Sequence, residues 1–167
     1  MPAPSRFAAV DTGVLLALEA GDEECQEAID RLSNVGFYFI VTETVLQELA
    51  DIAQNDSDSE NRSHAHNTLI QMTNFGFLAP SLTPVQMGVA EQLAQKLLEN
   101  CIPHCALNDG LTVTESAYNN CRFLLTRRSG LLNIDRISIL IAIVDSDLPA
   151  VVVISPKEII EYFKAQK

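Results

Sequence analysis

Three carboxylates in this sequence sit where the residues around them call for something apolar. Asp11 directly follows Phe7 to Val10, a short apolar run that reads as a buried strand. Glu48 lies three residues after Val45 and four before Ile52, on the helical stripe that should face the core. Asp109, in Leu107-Asn108-Asp109-Gly110-Leu111-Thr112, falls in the first turn of a helix. The face that follows it is Thr112, Val113, Ser116 and Ala117, small enough to admit a close neighbour. Taken singly, each acid has an ordinary explanation: Asp11 as an N-cap, Glu48 at the exposed edge of a broad face, Asp109 as a first-turn charge favoured by the helix dipole. Brought to one spot, the three would repel one another and raise their own pKa values unless a cation neutralised them. Mg²⁺ or Mn²⁺, hard ions that prefer oxygen, would complete the set. Such an ion lowers the pKa of a bound water and polarises a phosphodiester oxygen, which is what in-line hydrolysis requires. Glu43 lies about 140° from Glu48 around the helix and cannot share its ligand.

The elements that must position these acids alternate along the chain. Arg6 to Val10 reads as a strand that stops at Asp-Thr-Gly. Asp22 to Leu32 has helical apolar spacing, Phe37 to Val41 is aromatic and β-branched, and Thr42 offers an N-cap hydroxyl to a helix through Val45, Leu49 and Ile52. Residues 55 to 63, polar throughout and alternating Asp with Ser, read as an exposed acidic loop or helix-helix linker within one domain. A helix through His66, Leu69, Ile70 and Phe75 should follow, with His64 and His66 facing solvent. Pro84 opens another with Val85, Val89, Leu93, Leu97 and Leu98 on its apolar face, and a third runs from near Asn108 to about Asn120. Arg122 to Thr126 and Ala150 to Ile154 read as strands and Ser155-Pro156 as the start of a last helix; Ile137 to Val144 fits helix or strand by period, with helix favoured because Asp135 could cap it. Strands alternating with helices imply a mainly parallel sheet covered by helices on both faces, with ligands bound beyond the carboxyl ends of its strands.

Composition sets limits. A length of 167 residues suits a single domain spanning 1 to 167, and 47% hydrophobic with 20% charged residues is a globular balance. The longest apolar-rich run, Ile137 to Val144, is far short of the roughly 18 residues of a membrane span, and Asp11 interrupts the N-terminal run before it could serve a signal peptide. A cytoplasmic location is expected. Cys25, Cys101, Cys105 and Cys121 are then structural thiols; Cys101, His104 and Cys105 lack the second pair that a zinc finger needs. The net charge of −11 argues against a broad clamp on nucleic acid. All of it comes from residues 1 to 60, which hold 13 acids and two bases, while Arg122, Arg127, Arg128 and Arg136 form the one basic cluster.

The order of these motifs resembles the PIN domain, a metal-dependent nuclease fold with three α/β/α layers and a mainly parallel central sheet. Asp11 in Val10-Asp11-Thr12-Gly13, Glu48 in Val45-Leu46-Gln47-Glu48-Leu49 and Asp109 would match its first three acids, and Phe123-Leu124-Leu125-Thr126 its fourth strand and terminal hydroxyl. The resemblance implies a Mg²⁺- or Mn²⁺-dependent endoribonuclease of the VapC kind, with RNA as substrate and a small antitoxin-like partner; a homodimer is expected from base rates alone. One position departs from the pattern. Members that retain all the acids carry Asp or Asn about two residues after Thr126, where this chain has Arg128, and a guanidinium cannot ligate a cation. Two alternatives stay open: Asp135 supplies the missing oxygen from a longer loop, or Arg128 pairs with the acids and displaces the metal. In the second case the chain is a catalytically degenerate PIN-like binding or scaffolding module. Thr126, Arg127 and Arg128 could alternatively face a substrate, since Arg matches phosphate oxygens bidentately.

Overall fold

A computed structural model describes residues 6 to 165. The chain runs β1 (Phe7–Val10), α1 (Thr12–Glu19), α2 (Glu23–Asn34), β2 (Tyr38–Ile40), α3 (Glu43–Asn55), α4 (Ser59–Gln71), α5 (Pro84–Asn100), α6 (Leu107–Tyr118), β3 (Cys121–Leu125), α7 (Ser129–Leu132), α8 (Arg136–Val144), β4 (Val152–Ile154) and α9 (Pro156–Lys164). The four strands form one sheet in the order β2-β1-β3-β4, with all three pairings parallel. A parallel sheet needs a crossover between neighbours, which the intervening helices supply.

Alternation along the central strands explains the layers. Ala8 and Val10 of β1, with Phe123 and Leu125 of β3, point into a core shared with Val14 of α1, Leu32 of α2, Leu49 of α3 and Ile159 of α9. Ala9 and Leu124 point the other way, against Leu97 of α5, Val113 and Ala117 of α6, and Ile139 and Ile143 of α8. Successive side chains leave a strand on opposite faces, so the apolar residues Ala8 to Val10 and Phe123 to Leu125 are buried on both sides. The three-layer α/β/α expectation holds.

Five local expectations are corrected. Residues 55 to 63 are mostly helical, and the linker between helices is confined to 56 to 58: α3 runs through Asn55, α4 begins at Ser59, and Asp58 caps it by accepting the Glu60 N–H at 2.8 Å. A solvent-facing helix can be polar throughout, so composition alone read as loop. Ile70 and Phe75 are 59% and 63% exposed, and α4 ends before Phe75. On α5, Ala90, Leu93, Ala94 and Leu97 make the buried face, while Val85 and Val89 stay exposed. Thr42 is the N-cap residue of α3, but its hydroxyl makes no capping bond. The strand ending at Thr126 is the third of four in chain order; beyond β2 a single parallel bridge joins Ile40 to Leu78.

Helix α6, which carries Asp109, lies close against α5. A β-carbon at Gly110 would stand 3.0 Å from the Ala94 carbonyl oxygen and 3.2 Å from its Cα. Backbone cannot move aside as a flexible side chain can. Gly110→Ala gains about 1 kcal/mol of helix propensity, but overpacking costs about 1–3 kcal/mol, so net destabilisation is expected. Gly88→Ala, on exposed α5 surface with nothing within 4 Å, should stabilise by about 0.5–1 kcal/mol. Urea denaturation of the two variants checks the opposite signs.

Candidate functional site: an arginine among three carboxylates

The carboxyl ends of β1 and β3 lie side by side, with Asp11 N–H bonded to the Leu125 carbonyl at 3.0 Å. Asp11 is 2% exposed and does two things at once. Its Oδ1 caps α1 by accepting the Val14 N–H at 2.9 Å, and its Oδ2 accepts the Thr126 hydroxyl. Thr126 is fully buried, and its Oγ1 accepts the Arg128 N–H at 3.0 Å, so it ties Asp11 to the segment that follows β3.

Glu48 reaches the same place from α3. Its Oε2 accepts from the Thr12 hydroxyl at 2.5 Å and from Arg128 Nη2 at 2.7 Å, and its Oε1 accepts from Asn108 Nδ2 at 3.1 Å. Asp109 arrives on α6. Its Oδ2 reaches back to the Ala106 N–H at 3.0 Å, and its Oδ1 accepts from Arg128 Nη1 at 2.5 Å. One guanidinium therefore bridges two acids from two helices and lies in the field of the third. Burial pulls the Arg128 pKa down, but Asp109, Glu48 and Asp11 in that order push it up further, so it is raised overall.

Arg127 turns the other way and pairs with Asp22, the N-cap of α2, at 3.2 Å. Asp135 caps α8: its Oδ1 accepts the Ile137 N–H at 3.1 Å, and its Oδ2 accepts the Ser138 hydroxyl at 2.7 Å. The Ser138 hydroxyl and then the backbone N–H groups hold its pKa below the ordinary carboxyl value. Among the described residues no hydrogen bond or ion pair links Asp135 to Arg128 or the three acids; its carboxylate is engaged as the cap of α8. The buried Thr126 hydroxyl is engaged with Asp11 and with the Arg128 N–H.

Sequence reasoning missed two members. Asn108 holds the second oxygen of Glu48. Glu115, fully buried on α6, accepts the Thr44 N–H at 3.1 Å and the Thr44 hydroxyl at 2.6 Å. The available signal was a lone acid in the run Thr112 to Ala117, which holds no basic residue.

Three oxygen donors have the chemistry a hard divalent ion takes. The space does not suit it, because the guanidinium stands between Glu48 and Asp109 and all six oxygens of the three acids already accept hydrogen bonds from the protein. Among the described residues no group of three His, Cys, Asp or Glu side chains is arranged to hold an ion. The site as folded fits an internal cation in place of a metal.

The sequence matches no protein-family model. No curated protein matches it either. Solved structures do. The chain is similar to VapBC2 from Rickettsia felis bound to a DNA fragment from their promoter, with a TM-score of 0.58 and 11% identity over 89% of this chain and 98% of that one. It is also similar to FitAcB from Neisseria gonorrhoeae, with a TM-score of 0.52 and 17% identity over 89% and 97% of the two chains. The protein has a PIN-like fold. No helix among the described residues is long and apolar enough to cross a membrane.

Burial pushes the Asp11 carboxyl above the ordinary range, although the Thr126 hydroxyl, the Val14 N–H and the Arg128 charge pull it down. A raised folded value means that the native state binds this proton more tightly than the unfolded chain. Stability from this group therefore falls as pH rises from the ordinary carboxyl value through the raised one. Asp11→Asn keeps a carbonyl for Val14 and removes the buried charge. It should be more stable than wild type at neutral pH, with the margin shrinking toward about pH 4.5. Urea denaturation at the two pH values checks this; a margin independent of pH counts against it.

Proposed function

We propose that this chain is a PIN-like binding module in which Arg128 stands where a nuclease of this fold would hold its cation. The observation that carries the reading is the double contact of Arg128, Nη1 to Asp109 at 2.5 Å and Nη2 to Glu48 at 2.7 Å. A guanidinium has no lone pair to offer a metal or a water, so a site closed on it positions charge without activating a nucleophile. Net charge favours a protein partner over RNA, since phosphate binding needs Lys and Arg and this chain carries −11. A cavity of about 540 Å³ lined by Leu15, Phe37, Phe39 and Phe77, with Glu19 and Asp30 also on its wall, suits an antitoxin-like segment with apolar and basic side chains.

A second reading, the Mg²⁺- or Mn²⁺-dependent ribonuclease, is favoured by one observation. The Arg128 side chain is 36% exposed while Glu48 and Asp109 are 16% and 10%, so the guanidinium sits on the solvent side and can leave without opening the core. Calorimetry with millimolar Mn²⁺ and cleavage of single-stranded and structured RNA separate the two. The binding-module reading expects no Mn²⁺ heat and no cleavage from wild type, with Mn²⁺ binding gained in Arg128→Ala. Saturable Mn²⁺ binding by wild type, with RNA cleavage abolished in Asp109→Asn, would overturn it in favour of the nuclease.

A further inference from the structure

Glu115 is a buried acid with no salt bridge among the described residues, which is an expensive arrangement unless something specific compensates it. Its compensation is the amino end of α3. Oε2 accepts the Thr44 N–H at 3.1 Å and Oε1 accepts the Thr44 hydroxyl at 2.6 Å, while the helix dipole places positive charge toward the carboxylate. The cap comes from another helix although Thr42, the residue at the N-cap, is a good capping type. The Thr42 hydroxyl is buried, donates to nothing and caps nothing. A local cap would have satisfied α3 alone. The one present ties α3 to α6 instead.

Those are the two helices whose acids Arg128 bridges. Thr44 lies one helical turn before Glu48, and Glu115 lies six residues after Asp109 on α6. We propose that Glu115 is a positioning residue of the acidic site: through Thr44 it sets α3 against α6 so that Glu48 and Asp109 face one cation. The proposal rests on reading Glu48, Asp109 and Arg128 as one site, but it does not depend on which cation occupies it.

The test uses the full chain with Glu115→Ala, Glu115→Gln and Thr44→Val, each checked for folding by circular dichroism. Nitrogen-15 spectra of the arginine side chains report whether Arg128 is held, its signals being assigned by their absence from Arg128→Lys. Wild type should show separate Nη1 and Nη2 signals, because a guanidinium fixed at both nitrogens rotates slowly. Glu115→Ala should merge them, and Thr44→Val should broaden them. Glu115→Gln, which keeps an acceptor oxygen and the shape, should preserve them. Should wild type instead bind Mn²⁺, the binding-module reading fails and the readout becomes Mn²⁺ affinity. Glu115→Ala is then expected to weaken it at least ~10-fold, the usual cost of losing a supporting contact, with Gln close to wild type. A purely structural Glu115 would lower the melting temperature and leave both readouts unmoved; that result in folded Glu115→Ala overturns the proposal. If Glu115→Ala does not fold, wild-type behaviour of folded Thr44→Val overturns it.

Discussion

Like charges cannot be crowded without a compensating charge, and this constraint organises the molecule. At about 4 Å two unit charges interact by about 4 kcal/mol in a partly buried environment, against about 1 kcal/mol in bulk water. Asp11, Glu48 and Asp109 come from β1, α3 and α6, which are far apart in the chain, and the fold brings them to one end of the sheet. A single +1 charge, delocalised over a plane that reaches two acids at once, is how this chain meets the demand. Asp11 is left without a direct ion pair, and hydrogen bonds from Thr126 and Val14 carry it instead.

The scaffold is a consequence of parallel pairing. With β1 and β3 adjacent and aligned, the residues just past each strand emerge together, so Asp11 and Thr126 meet although 115 positions separate them. The helices then bring the remaining members from the flanks. The Glu115 contact with Thr44 is the direct link from α6 to the first turn of α3, and close packing at Gly110 seats α6 on α5. The site is thus held by backbone and buried hydroxyls, whereas the arginine lies toward solvent.

Much of this was legible beforehand. Asp11, Glu48 and Asp109 stood out because an acid at an apolar position violates a period, and periods of 2 and 3.6 residues are what a chain displays most plainly. The strands around Phe7 to Val10 and Phe123 to Leu125 showed as short apolar runs, whereas Ile137 to Val144 is ambiguous by period and reads as a helix because Asp135 can cap it. What did not show depends on partners distant in sequence. Whether Arg128 turns inward is decided by acids contributed from α3 and α6, and the capping of α3 by Glu115 spans 71 positions. Thr42 looked like a cap because local chemistry allows it, and a tertiary contact overrode that preference. The start of α4 was missed for the opposite reason: its cap, Asp58, lies inside a stretch whose polarity resembles a loop.

An arginine at position 128 sets the kind of chemistry the pocket can do, beyond its affinity. A carboxylate at that position would add a lone pair and a fourth negative charge, deepening the demand for a divalent ion. Arginine subtracts both: it supplies donors where the site already holds acceptors, and leaves three acids with one internal positive charge. Lysine would not be equivalent, because a compact ammonium is a point charge, whereas Nη1 and Nη2 diverge toward separate carboxylates. The fork also engages two helices at once. Here the two carboxylates come from different helices, so the pairing of α3 with α6 is as much a part of the site as the charged groups.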